Sequence, residues 1–169
     1  MALPSQIDPR KLALQGALLK GHVDITEHVR LSSAVNRVVS PFATSIQFEI
    51  DESGQPLAKG TASVVVEVTC QRCLDPFEIS LQADFSLQII WSEDQIGNVS
   101  PDHEPWIVVD RFADPIAMVE DEILLALPFV NYHKVGSCTG NAQKPVGFDS
   151  DDSMDTKSPF SILEQLKKK

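Results

Sequence analysis

Two long runs of alternating apolar and polar residues, meeting at a pair of cysteines, constrain this chain more than any other feature. Upstream of the pair, Thr61, Ser63, Val65, Glu67 and Thr69 alternate with Ala62, Val64, Val66, Val68 and Cys70. Successive side chains of a strand point to opposite faces, so this pattern predicts a strand with one dry face, which ends at Cys70. Downstream, Phe77, Ile79, Leu81, Ala83, Phe85, Leu87 and Ile89 alternate with Glu78, Ser80, Gln82, Asp84, Ser86 and Gln88. The two runs make a long hairpin whose tip reads Cys70, Gln71, Arg72, Cys73, Leu74, Asp75, Pro76.

A dry hairpin face needs something to pack on it, and 169 residues are enough for one domain with a substantial core. The chain in order supplies candidates. Asp8 and Pro9 form an N-cap and first-turn pair ahead of a short helix over Ile7 to Gln15. A strand is expected within Gly16 to Ile25. From Val29 to Val39 the β-branched Val35, Val38 and Val39 lead to Ser40 and Pro41, which break the run. Thr44 to Asp51 alternates with Ile46, Phe48 and Ile50 on one face, and Glu52 to Gln55 form a turn into the hairpin. Beyond Trp91, Ser92 to Pro105 is polar and aperiodic, which predicts a long surface loop, and Trp106 to Val109 is a short apolar strand candidate.

The clearest helix runs from the Asp114 cap and Pro115 to Leu127, where Pro128 stops it. Ile116, Val119, Ile123, Ala126 and Leu127 share one stripe at about 100° per residue and should pack on the sheet. Met118 and Leu125 lie on the far side, which predicts a helix covered on two faces. Glu120 sits at the edge of the apolar stripe, so its carboxylate needs a partner such as Arg72, or backbone donors. Asp121 and Glu122 point elsewhere on the wheel, and three consecutive carboxylates fan out too widely to share one metal ion. The expected class is α+β: a mostly antiparallel twisted sheet or partly closed barrel of five to seven strands, with one main packed helix and short terminal helices.

His133 and Cys138 are separated by four residues in an irregular stretch. With Cys70 and Cys73 they offer a Cys3His donor set, soft and tetrahedral, that suits zinc. The competing reading makes Cys70 the end of a core face and Cys73 the cover of the hairpin tip, with His133 and Cys138 unrelated loop residues. A redox role for the C-x-x-C is weaker, because such motifs open a helix after a strand, whereas Asp75 and Pro76 lead into another strand.

Residues 1–148 are expected to form the α+β domain, and 149–169 an acidic linker with a short amphipathic tail. There Phe160, Leu163 and Leu166 form an apolar face next to Lys167, Lys168 and Lys169, able to dock on the home domain or on a partner. Three cysteines, no run of about 18 apolar residues and no secretory leader pattern predict a soluble cytoplasmic protein with neither membrane nor DNA as partner. The net charge is -10, unevenly spread. Residues 1–47 carry five Lys or Arg against three acids, whereas 48–156 carry five against twenty. An acidic body suits a basic protein partner better than bare RNA.

Several of these pieces together resemble the YceD family of large ribosomal RNA subunit accumulation proteins. They are the Cys70–Cys73 knuckle; the helix from Met118 through Glu120, Asp121 and Glu122 to Pro128; His133 with Cys138; and the tail from Pro159 through Phe160, Leu163 and Leu166 to Lys167. The resemblance runs from about Leu12 onward and is densest at Val68 to Phe77 and Ala117 to Pro128. It implies a bacterial or organelle-derived cytoplasmic protein needed for normal levels of large-subunit (23S) ribosomal RNA, acting in its synthesis, processing or stability. It implies no catalytic residues. Squared with the charge, it predicts a non-enzymatic ribosome biogenesis factor whose acidic body engages a basic large-subunit protein or assembly factor and touches RNA at most locally. Arg72, Glu120, Asp121, Glu122, Phe160, Leu163 and Leu166 are the candidate interaction residues. The alternatives are a small zinc-binding protein or an RNA-processing enzyme, for which His103, His133, Glu120 and Asp121 are the only candidate acids and bases.

Overall fold

The computed structural model describes residues 2–23, 29–134 and 137–138. The elements in order are α1 (Pro9–Gln15), β1 (Leu18–Val23), α2 (Val29–Ala34), β2 (Arg37–Val38), β3 (Phe42–Ile50), β4 (Pro56–Thr69), β5 (Pro76–Ile90), a 3-10 helix (Glu93–Asn98), β6 (Glu104–Ile107) and α3 (Pro115–Leu125). The class is α+β, as the patterning predicts. Among the described residues the six strands form one open sheet in the order β1-β3-β4-β5-β6, with β2 paired to β4. Every pairing is antiparallel except β5 with β6.

The β4–β5 hairpin is the spine, in register from Leu57↔Gln88 to Thr69↔Pro76. On β4 the predicted dry face, Ala62, Val64, Val66, Val68 and Cys70, is buried throughout. β3 lies on the other side of β4 and adds Phe42, Ile46 and Phe48 to the same face, each fully buried. Burying a side chain of this size contributes about 1.5–3 kcal/mol, so this face dominates the stability of the domain. α1 packs over β3 and β4, and α3 over β4 and β5. At Gly60, opposite Ile46 and Phe85, an added Cβ would stand 2.3 Å from the Ser45 carbonyl oxygen and 2.8 Å from the Phe85 ring. Only glycine fits that crossing.

Three expectations change. Residues from Val29 to Val39 divide into α2 and the two-residue β2, because Ser40 breaks the pairing beside β4: Val39 and Ser40 both donate to the Val65 carbonyl, while Ser40 Oγ accepts from the Val65 N–H. The stretch from Ser92 to Pro105 is no plain surface loop. It contains the 3-10 helix and the start of β6, and its ends are bonded to the sheet. Gln88 Oε1 accepts from the Ser100 N–H, Ser86 Oγ lies 2.8 Å from His103 Nδ1, and Leu57, Gln88 and Ile90 are buried on the outer face as a result. Finally, α3 is covered unevenly. Met118 is buried, whereas among the described residues Leu125 is 74% exposed. The helix ends at Leu125, and Ala126 and Leu127 follow it half-buried against the core.

Both long-predicted helix starts are capped as expected. Asp8 accepts from the Lys11 N–H, and Asp114 accepts from the N–H groups of Ile116 and Ala117. The segment before α1 is stitched to the segment before α3 by reciprocal Ile7–Ala113 hydrogen bonds at 2.9 Å. The acidic stretch 149–158 and the tail with Phe160, Leu163 and Leu166 lie outside the described residues.

Candidate metal centre

The hairpin tip is a tight knuckle. The Leu74 N–H donates to the Cys70 carbonyl and the Cys70 N–H to the Asp75 carbonyl, both at 2.9 Å. To close this loop Leu74 takes φ 65°, the only positive φ at a non-glycine position among the described residues. Left-handed backbone costs an ordinary residue about 1–2 kcal/mol, so it persists only where the surroundings dictate it. Leu74 is 74% exposed, so burial of its side chain does not explain the conformation. What the turn does is bring Cys73 back beside Cys70.

The second half of the site is held against the knuckle by the main chain. The Gln71 N–H donates to the Asn131 carbonyl at 2.9 Å, and Gln71 Nε2 donates to the Phe129 carbonyl at 3.3 Å. Phe77, the first apolar residue of β5, packs against the His133 ring with centroids 4.5 Å apart, and Arg72 stacks over Tyr132 at 5.3 Å. His133 Nδ1 then lies 3.3 Å from Cys73 Sγ, and Cys138 Sγ 3.9 Å from Cys70 Sγ.

The donor atoms of Cys70, Cys73, His133 and Cys138 all lie within 4.8 Å of one another. Donors at about 2.0–2.3 Å around a tetrahedral ion stand roughly 3.5–3.8 Å apart, so the cluster fits a single metal ion with small adjustments. Electrostatics agree. Burial opposes ionisation of Cys70, but the N–H groups of Cys73, His133 and Arg72 outweigh it and bring the thiol down to about 5. Burial and the neighbouring Cys138 and Cys70 hold Cys73 up at about 11, against the Asp75 N–H. The pair therefore shares one negative charge near neutral pH, and a bound cation would favour loss of the remaining protons.

The other singled-out residues lie elsewhere. Glu120 is buried in α3, and its partner is Arg30, not Arg72. Glu120 Oε1 accepts from the N–H groups of Arg30 and Leu31, and Oε2 from Arg30 Nε. The same guanidinium also reaches Asp121 and donates to the Ala117 carbonyl. Arg30 lies ninety residues upstream of its partner, and no spacing in the sequence announces the pair. Glu122 lies within electrostatic reach of Glu104; burial, then the charges of Glu104 and Asp121, raise its carboxyl. His103 bonds to Ser86 on the outer face, far along the sheet from the knuckle.

A small α+β domain whose hairpin tip and downstream loop converge on a Cys3His cluster is the class that fold and site define. Over residues 58–167 the chain matches the family model described as "Large ribosomal RNA subunit accumulation protein YceD". It is also 31% identical over 170 residues to the Large ribosomal RNA subunit accumulation protein YceD of Haemophilus influenzae, covering 99% of this chain and 97% of that protein. This chain belongs to the YceD family. No solved structure matches it.

Proposed function

We propose that this protein is a non-enzymatic, cytoplasmic ribosome biogenesis factor that sustains large-subunit ribosomal RNA by engaging a basic large-subunit protein or assembly factor. The observation that carries this reading is the end-to-end similarity to the Haemophilus influenzae protein, whose name states its role in large ribosomal RNA subunit accumulation. The charge supports a protein partner, since the described domain contains most of the acidic stretch 48–156. The positions of the candidate acids and bases support a factor that holds or delivers. Glu120 is fully engaged with Arg30, His133 faces cysteine thiols, and His103 is bonded to Ser86. No helix among the described residues is long and apolar enough to cross a membrane.

Within this reading, Cys70, Cys73, His133 and Cys138 hold a structural zinc ion. Four protein donors fill a tetrahedron and leave no open position, so zinc would supply a cross-link between the hairpin tip and the loop after α3. The test is the ratio of large- to small-subunit ribosomal RNA in cells lacking the gene, rescued with wild type or with Cys70→Ser/Cys73→Ser. A fall that only wild type restores is expected. An unchanged ratio would remove the reading. Pull-downs should retain basic large-subunit proteins after ribonuclease treatment, and loss of every partner on that treatment would instead point to RNA as the tether.

A further inference from the structure

The described domain leaves a groove open beside the metal cluster. It measures about 420 Å³ and lies between β5 and the chain after α3, with Phe77, Ile79, Leu81, Ala126 and Val130 as its apolar lining and Ser80, Gln82 and Asn131 among its polar lining. On that side of β5 no described strand pairs with residues Pro76 to Ser86, because β6 joins only at Leu87 to Ile90. Leu125, next to the lining residue Ala126, is 74% exposed, and Phe129, next to the lining residue Pro128, is 100% exposed. A groove flanked by exposed Leu125 and Phe129 offers apolar contacts to a docking segment.

We infer that the occupant is a segment of this same chain, Phe160 to Leu166, with Lys167 to Lys169 reaching Glu122 on α3. Connectivity supports the choice. Cys138 is fixed in the cluster beside the groove, and 21 residues separate it from Phe160. A random coil of that many residues has a root-mean-square span of roughly 25 Å, which corresponds to an effective concentration on the order of a millimolar. Sequence supports it too. Phe160, Leu163 and Leu166 recur at helical spacing behind Pro159, an apolar stripe of the length that enters a groove. The family match extends to residue 167, so segment and groove belong to one family pattern.

Two other hollows among the described residues are larger: one of about 530 Å³ beside Gly60 is lined mainly by polar side chains, among them Ser45, Gln47, Thr61 and Ser86, and charge selects the β5 groove over the other. That hollow, about 520 Å³, is lined by Leu14, Trp91 and Val109 but rimmed by Arg10, Lys11 and Arg111, which would repel three lysines even with Asp8 and Asp110 beside them. Near the β5 groove the charges are mixed: Arg72 stacks over its lining residue Tyr132, while carboxylates stand on the α3 side. Glu122 stands one helical turn before Ala126 and near Glu104, and neither carboxylate is in an ion pair among the described residues. Burial is the main cause that raises the Glu122 carboxyl, and lysines placed there would offset the charges of Glu104 and Asp121 that add to it.

The test replaces Leu163 in the full-length protein with a photo-crosslinking phenylalanine analogue, irradiates a mixture of isotopically light and heavy chains at low micromolar concentration, and maps the linked peptides. Crosslinks within single chains to residues 77–82 and 125–132 are expected. They should fall at least five-fold with Leu125→Glu, a change at an exposed position that leaves the circular dichroism spectrum intact. They should fall likewise when Lys167, Lys168 and Lys169 are all replaced by Glu. Crosslinks to the Leu14 and Val109 hollow, links between light and heavy chains, or no link to protein at all would each overturn the inference.

Discussion

The Glu120 carboxylate grips Arg30 by its main chain and its side chain at once: Oε1 accepts from the Arg30 N–H at 3.0 Å and Oε2 from its Nε at 2.9 Å. Oε1 also accepts from the Leu31 N–H, so a side chain of α3 satisfies the first free donors of α2. Leu31 is thereby fixed at full burial in the core.

Removing that carboxylate should cost more than an exposed ion pair would. Glu120→Ala leaves two N–H groups and the Arg30 Nε without their acceptor, and a loss of about 3 kcal/mol in urea unfolding is expected. Glu120→Gln keeps an oxygen for the N–H groups and should lose clearly less. Equal losses for the two variants would mean that the N–H contacts contribute nothing.

Metal binding predicts a stoichiometry. Protein purified without chelator should carry about one zinc per chain, and stripping it should lower the thermal midpoint, as should Cys138→Ser. Metal content below about half an equivalent, or a midpoint indifferent to chelator, would contradict a structural zinc.

In the metal-free, reduced protein the two knuckle thiols should respond to pH in opposite directions. Cys70 sits at about 5 in the fold against a usual value of 9.0, so the fold favours its thiolate. Its contribution to stability is complete above about 9 and is lost as pH falls through about 5. Cys73, raised to about 11, contributes below about 9 and loses that contribution as pH rises through 11. Absorbance at 240 nm should show close to one thiolate at pH 7, absent in Cys70→Ser. A wild-type spectrum without thiolate at pH 7 would refute the assignment.

Gly60→Ala should destabilise although alanine is the smallest possible change. Its Cβ would meet the Ser45 carbonyl oxygen at 2.3 Å, which is backbone of the neighbouring strand and cannot rotate away. A loss of about 2 kcal/mol, or several degrees in thermal midpoint, is expected. An unchanged midpoint would show that β3 and β4 can separate locally at no cost.

Much of this architecture is legible because it is periodic. The alternation from Ala62 to Cys70 and from Phe77 to Ile89 gives the hairpin and its faces, and Asp8 with Pro9 and Asp114 with Pro115 give the helix starts. Where local pattern is weak, tertiary contacts decide. Val29 to Ala34 is helical with its first N–H groups on a distant Glu120, and Glu93 to Asn98 folds where Gln88 and Gln95 offer side-chain oxygens to the Ser100 and Trp91 N–H groups. Neither contact has a signature in its own segment.

The site divides in the same way. Spacing alone identifies Cys70 and Cys73 as a knuckle and His133 and Cys138 as candidate donors, because ligand chemistry depends on residue type and short separations. That the two pairs meet, and that Arg30 finds Glu120, depends on how β5 and α3 return the chain to the hairpin tip, across 60 and 90 residues. The sequence by itself determined the strands, the caps and the donor types, since these follow from backbone geometry within a few residues. Only the tertiary structure decided the strand order, the partner of Glu120 and the convergence of four donors, since these depend on packing free energy summed over the whole core.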